Sequence, residues 1–224
     1  MEFGLLFRWL VVYAALSAVG LPVAARLLAP LATRGVGFAL PVSLVLLTTG
    51  AYWVGHVTFG PLALVAGVAL LLAVAAATAL DWGALVDGTL EFAPTVRALD
   101  RRRVAETAAV FLVGFLFVVG IRAVDPAVHP VGGEKFLDFG LLKSLSRTTQ
   151  LPPEDVWFAG DPVQYYYGGH LMATLLARLA ATPPRFAYNL ALAGFYASLV
   201  TAAYDLASAV AAERADSPRF SGLL

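Results

Sequence analysis

Six of the chain's fifteen acidic residues fall in one stretch of 37, from Asp125 to Asp161. They are Asp125, Glu134, Asp138, Glu154, Asp155 and Asp161, and His129, Lys135, Lys143 and Arg147 lie among them. Read as a helix over 134–147, this stretch lines Leu137, Leu141 and Leu145 along one stripe and sets Glu134 and Asp138 beside it. Two carboxylates next to an apolar face suit general-base work on a hydroxyl, or the binding of a divalent cation. Acids in a first turn also complement the helix dipole, and Lys135 is placed to neutralise either neighbour, so spacing alone leaves both readings open. Lys143 and Arg147 project from the other side.

Two further motifs follow. In Leu151-Pro-Pro-Glu-Asp-Val-Trp-Phe-Ala-Gly160 the prolines stiffen the approach, and Trp157 and Phe158 suit headgroup depth. Asp161, Pro162 and Gln164 then read as a capping box opening a helix, a structural role for Asp161. Along that helix Tyr165, Tyr166 and Tyr167 point in different directions, so at least one hydroxyl faces the protein and needs a partner. His170 lies one turn on, beside Gly168 and Gly169, which admit another backbone or a ligand. It reads equally as a packing residue or as a ligand.

The elements that must position these groups are membrane spans. Of 224 residues 60% are hydrophobic and 13% charged, with 15 basic and 15 acidic residues. Soluble domains carry about twice that share of charge. A balanced charge without a basic face excludes a nucleic-acid binder. With no cysteine there is no disulfide framework or thiolate chemistry. Stretches of about 20 apolar residues, the length that crosses a bilayer, fall at 5–28, 36–57, 61–80, 104–124, 162–181 and 185–211. The expected fold is an all-α polytopic bundle of about six spans, its surroundings the lipid bilayer of a cell membrane. An interfacial helix lies in the large loop after the fourth span. Residues 1–103 form a three-span segment ending in a polar stretch; residues 104–224 form a second, carrying the acidic loop and the tyrosines.

Arg97 and Arg101–Arg103 precede the fourth span. Basic clusters stay cytoplasmic, which places loop 125–161 outside and, with six spans, Arg34 and Arg185 inside and both chain ends outside. Arg214 and Arg219 in the tail oppose that last placement. Glu106 reads as a partner of the arginine triplet, and Arg178 as a residue reaching inward from the end of the fifth span. The polar stretch 81–100 reads as interfacial, with Trp82, Leu85, Leu90 and Phe92 at the membrane. Asp205, an acid within the last span, is a functional candidate by cost alone and is expected at the outer end.

The ordered set Asp125-Pro126, Gly132-Gly-Glu-Lys-Phe-Leu-Asp138, Leu151-Pro-Pro-Glu-Asp155, Trp157-Phe-Ala-Gly160 and Tyr165-Tyr-Tyr-Gly-Gly-His170 resembles the Chlor_Arch_YYY family, membrane proteins of unknown function from archaea and Chloroflexi. Val156, Gln164 and Gly168 depart from its pattern where proline, asparagine and an aromatic are usual. Members are usually longer, which implies a split or truncated version completed by a second membrane chain. The family in turn is similar to GT-C membrane glycosyltransferases. That resemblance implies transfer of a sugar from a polyprenyl-phosphate donor, with Glu134 or Asp138 as base or metal ligand and Lys135 or Arg147 on the phosphate. Asp155, Trp157, Tyr165, Tyr166, Tyr167 and His170 would bind substrate. The alternatives are a non-catalytic membrane subunit or scaffold and, third, a transporter.

Overall fold

A computed structural model describes residues 3–124 and 135–215; they form helices joined by ordered loops. The helices are α1 (Phe3–Leu27), α2 (Ala39–Gly55), α3 (Pro61–Ala79), α4 (Trp82–Val86), α5 (Pro94–Arg97), α6 (Arg101–Arg122), α7 (Lys135–Arg147), α8 (Gly168–Leu179) and α9 (Pro184–Ala215). Among the described residues five segments are long and apolar enough to cross a membrane: α1, α2 with the 3-10 turn before it, α3, α6 and α9. The protein is an all-α membrane bundle, its outward apolar side chains (Trp53, Val65, Val113, Leu199) facing lipid.

Local chemistry sets the ends. Asp100 begins α6 by accepting the Arg102 N–H at 2.9 Å, and Asp81 does the same for Gly83 in α4. Pro61 sits in the first turn of α3, where its missing N–H costs nothing. Along α2 and α3, Gly50 and Gly67 let the backbones touch. A Cβ on Gly50 would lie 2.8 Å from Gly67 Cα, so no larger residue fits that crossing. Trp9, Tyr13, Leu47, Phe115, Leu171 and Leu175 fill the core.

The expected fifth span is not one. Helix begins only at Gly168 and ends at Leu179, giving 12 residues, about 18 Å of rise, against the roughly 30 Å of a hydrocarbon core. The preceding residues fold back instead: the Asp155 N–H donates to Asp161 O and the Val163 N–H to Pro153 O, at 2.8 and 2.9 Å, and Gly160 turns the chain at φ +88°. Asp161 therefore caps no helix, and Tyr165 and Tyr166 precede α8 rather than riding on it. With Leu171, Leu175 and Leu176 wholly buried, α8 packs into the bundle without crossing it.

Five spans also reverse the parity after α6. The turn between α2 and α3 is tied to the segment after α7 by Phe59 N–H to Thr149 O, Leu151 N–H to Gly55 O and Gln150 Nε2 to His56 O. The start of α1 joins the same end through Trp9 Nε1 and Thr182 Oγ1, 2.9 Å apart. This loop end carries α7, α8 and Arg185. The opposite, basic end carries Arg97, Arg101–Arg103 and Arg214. Arg185 is thus corrected from the arginine-rich side to the loop side, and the end of α9 from the loop side to the arginine-rich side. The objection posed by Arg214 disappears; Arg219 lies outside the described residues. Asp205 is corrected likewise, since it meets Thr33 and Gly37 at the basic end. There Glu106 pairs with Arg102 at 2.8 Å and Arg97 holds Glu91 at 2.8 Å, while Trp82, Leu90 and Phe92 face outward.

Candidate functional site

Helix α7 is amphipathic, but its stripe faces protein. Leu141, Leu142 and Leu145 are buried against α8 and α9, with Leu137 half-buried. The helix is braced by the loop that follows, through a 2.7 Å hydrogen bond from Ser144 Oγ to Glu154 O. Burying the stripe turns Asp138, which shares that side of the helix, toward the bundle.

There the carboxylate is held from two other elements. His170 Nε2 of α8 lies 3.3 Å from Asp138 Oδ1, and the Tyr188 hydroxyl of α9 donates to Oδ2 at 3.1 Å. The Asp138 side chain keeps 31% of its exposure and that of His170 19%, so both are sheltered yet reachable. Gly168 and Gly169 open α8 just before His170, with open space around both. In the neutral imidazole, a proton on Nε2 directed at Asp138 leaves the lone pair on Nδ1, which has no hydrogen-bond partner among the described residues. The arrangement is that of a histidine oriented by a carboxylate, able to take a proton from a hydroxyl brought to it. Glu134 and Asp125 lie outside the described residues, as does His129. Among the described residues no three His, Asp or Glu side chains converge as a metal site.

The three tyrosines part company. Tyr165 and Tyr166 stack with ring centroids 4.0 Å apart and hydroxyls 2.6 Å apart, largely exposed. Tyr167 turns inward toward Tyr52 of α2. Burial, together with its hydrogen bond to Tyr52 and that neighbour's charge, pushes its phenol up to about 12. Tyr52 in turn meets the His56 ring edge-on at 4.5 Å.

The cations divide as well. Arg147 lies about 180° around α7 from Asp138 and Lys143 about 140°, whereas Lys135 lies only about 60° away, one turn earlier. Lys143 and Arg147 instead face a second cavity of about 440 Å³, shared with Phe136, Glu154, Asp155 and Trp157. Its acids serve the loop: Asp155 Oδ1 accepts the Trp157 and Phe158 N–H groups, and Glu154 Oε1 that of Gly160. Its cations have no ion pair among the described residues. Helix α7 thus carries Asp138 to one site and Arg147 to another. Arg178, expected to reach inward from the cytoplasmic end of a fifth span, lies instead at the loop end, because α8 does not cross. It lies 4.2 Å over the Phe59 ring and donates to Gly60 O and Leu145 O, and burial lowers its guanidinium from the ordinary arginine value.

Tyr188 escaped sequence reasoning, being one aromatic in an apolar span. The six-span count sets the start of that span at the end opposite the loop, so no sequence signal brings Tyr188 to Asp138. Lys143 and Glu154 were seen, but not as neighbours of Trp157.

Residues 46–224 match the model of a family described as Uncharacterized membrane protein (DUF2298). No curated protein and no solved structure matches the chain.

Proposed function

The chain belongs to the DUF2298 family of uncharacterized membrane proteins, and from that premise we propose that it is a GT-C-like membrane glycosyltransferase, working at the loop end. The observation that carries this reading is Asp138 held between His170 and Tyr188, three residues from three elements. His170 Nδ1 takes the proton of an acceptor hydroxyl as that oxygen attacks the anomeric carbon of a polyprenyl-phosphate sugar. The bond from that carbon to the phosphate oxygen breaks, the polyprenyl phosphate leaves, and the configuration inverts. Asp138 orients the imidazole and stabilises the charge it gains; Tyr188 fixes Asp138.

Lys135 is the cation on the Asp138 side of α7 and suits the leaving phosphate. Tyr165, Tyr166 and Trp157 offer exposed aromatic faces to a sugar and its carrier. Any divalent cation would draw on Asp138 together with Glu134. The similarity to the Chlor_Arch_YYY family, archaeal and chloroflexal, supports the same region as the working one. The arginines at the other end favour an extracytoplasmic loop end in the plasma membrane.

The test is sugar transfer from a labelled polyprenyl-phosphate donor in membranes holding the chain, its cognate partners and acceptor. Wild type transfers; His170→Gln and Asp138→Asn lose at least about 100-fold, the usual worth of a positioned base. No transfer by wild type overturns the activity. Undiminished transfer by both variants overturns the site.

A further inference from the structure

At the basic end, remote from the site above, α1 and α6 stand on either side of a cleft. Between them, α2 and α9 lies a cavity of about 440 Å³ within the membrane-spanning part, in the size range of ligand pockets. Its walls are apolar, from Leu21 to Leu10 along α1 and from Val104 to Phe111 along α6, about 16 and 10 Å of helix rise. Tyr13 closes its floor, edge-on to Phe111 and Phe115 at 5.5 and 5.8 Å. Ala14, Ala18 and Ala108, small and exposed, leave its flank open toward lipid.

Two features say what enters. Thr107, 92% buried (8% exposed), lines the cavity, and its hydroxyl has no hydrogen-bond partner among the described residues. Such an orphan calls for an acceptor from outside the protein. One turn nearer the end of α6, on the side that bears Val104 and Thr107, stand Arg101 and Arg103. Of the neighbouring acids, Asp100 caps α6 and Glu106 binds Arg102, while Asp205 accepts from Thr33 and also attracts Arg103 electrostatically, so Arg101 is the freer cation of the two.

We infer that this crevice holds an anionic glycerophospholipid of the surrounding leaflet. One acyl chain fills the cavity, an ester carbonyl accepts from Thr107, and Arg101 and Arg103 hold the phosphate. An apolar chain, a carbonyl at the depth of the first helical turns and a phosphate at the rim follow the order of groups along the bilayer normal.

Single cysteines test it, since the chain has none of its own. A small fluorophore is attached at Ala108→Cys, on the crevice, or at Val113→Cys, which faces lipid and is 70% exposed. The protein is placed in phosphatidylcholine vesicles containing increasing phosphatidylglycerol, with bromine on the acyl chains of one lipid or the other. At position 108, brominated phosphatidylglycerol quenches to saturation at a few mole per cent, ahead of brominated phosphatidylcholine. At position 113 both quench in proportion to their mole fraction. Replacing Arg101 and Arg103 with Gln raises the half-saturating fraction about tenfold, and Thr107→Val raises it less. Equal, linear quenching by both lipids at 108 overturns the inference. So does absence of quenching at 108 while 113 responds, the result if another helix or chain covers the crevice.

Discussion

Asp138 and Asp205 stand at opposite ends of one bundle, and their surroundings differ in kind. Asp138 keeps 31% of its side-chain exposure and faces two groups that can exchange protons, His170 and Tyr188. Asp205 is wholly buried and accepts from the Thr33 hydroxyl at 2.9 Å through Oδ2, while its Oδ1 has no hydrogen-bond partner among the described residues. An acid inside a span is costly wherever it sits, so cost alone does not mark function. Partners and access do. The loop-end acid is built to be reached, whereas the basic-end acid ties α9 to the connection between α1 and α2.

The largest expected difference is therefore in what each acid's loss disturbs. Asp138→Asn lowers sugar transfer about 100-fold or more while the unfolding midpoint in detergent stays near wild type. Asp205→Ala does the reverse, stranding Thr33 and costing about 1–3 kcal/mol in a denaturant titration. If Asp138→Asn unfolds as readily as Asp205→Ala, both acids are clamps and the contrast fails.

Glycines sharpen the comparison at a smaller scale. A Cβ at Gly37 would lie 2.6 Å from Asp205 Cβ and run into the Thr201 carbonyl, so Gly37→Ala pushes α9 away and costs about 1–3 kcal/mol. A Cβ at Gly169, beside His170, meets nothing within 4 Å. Gly169→Ala is then expected to raise stability by up to about 1 kcal/mol, since alanine is the better helix former. Measuring thermal midpoint and transfer together decides what that space is for. A more stable Gly169→Ala protein with impaired transfer identifies the opening as room for substrate. Unimpaired transfer leaves it as a helix terminus.

The same contrast explains what the sequence could say. Five spans were legible because apolar length is a local property: Pro61–Ala79, for instance, holds no charge. The stretch 162–181 was miscounted because its hydropathy is that of a span, while the bonds that keep its first six residues out of helix come from Pro153 and its neighbours. One miscounted span then moved Arg185 and Asp205 to the wrong ends. At the site, Asp138 and His170 were each visible as chemistry, but their 3.3 Å approach across 32 positions depends on which face of α7 is buried. Leu142, not only the Leu137–Leu141–Leu145 stripe, decides that. Helix spacing alone sets Arg147 opposite Asp138, as the structure has it; only the family resemblance assigns both to one substrate.

The smallest expected effect lies in Tyr167, the loop-end tyrosine that faces inward. Its phenol, at about 12 in the folded protein against 10.0 ordinarily, binds its proton more tightly when folded. Its contribution to stability is thus fully present below pH 10 and is lost as pH rises through about 12. Absorbance of ionised tyrosine near 295 nm, compared between wild type and Tyr167→Phe, should show one phenol titrating late. Tyr52→Phe removes the Tyr52 hydroxyl, the source of both the charge and the hydrogen bond that raise the Tyr167 value, and leaves burial, the larger cause. The late phenol should then move part of the way back toward 10. No movement would mean that burial alone holds it, and that Tyr167 anchors α8 against α2 without help from the Tyr52 hydroxyl. A full return to 10 would mean that the loop end is wetter than its packing implies. Access to Asp138 would then come from water already in place, not from a substrate displacing it.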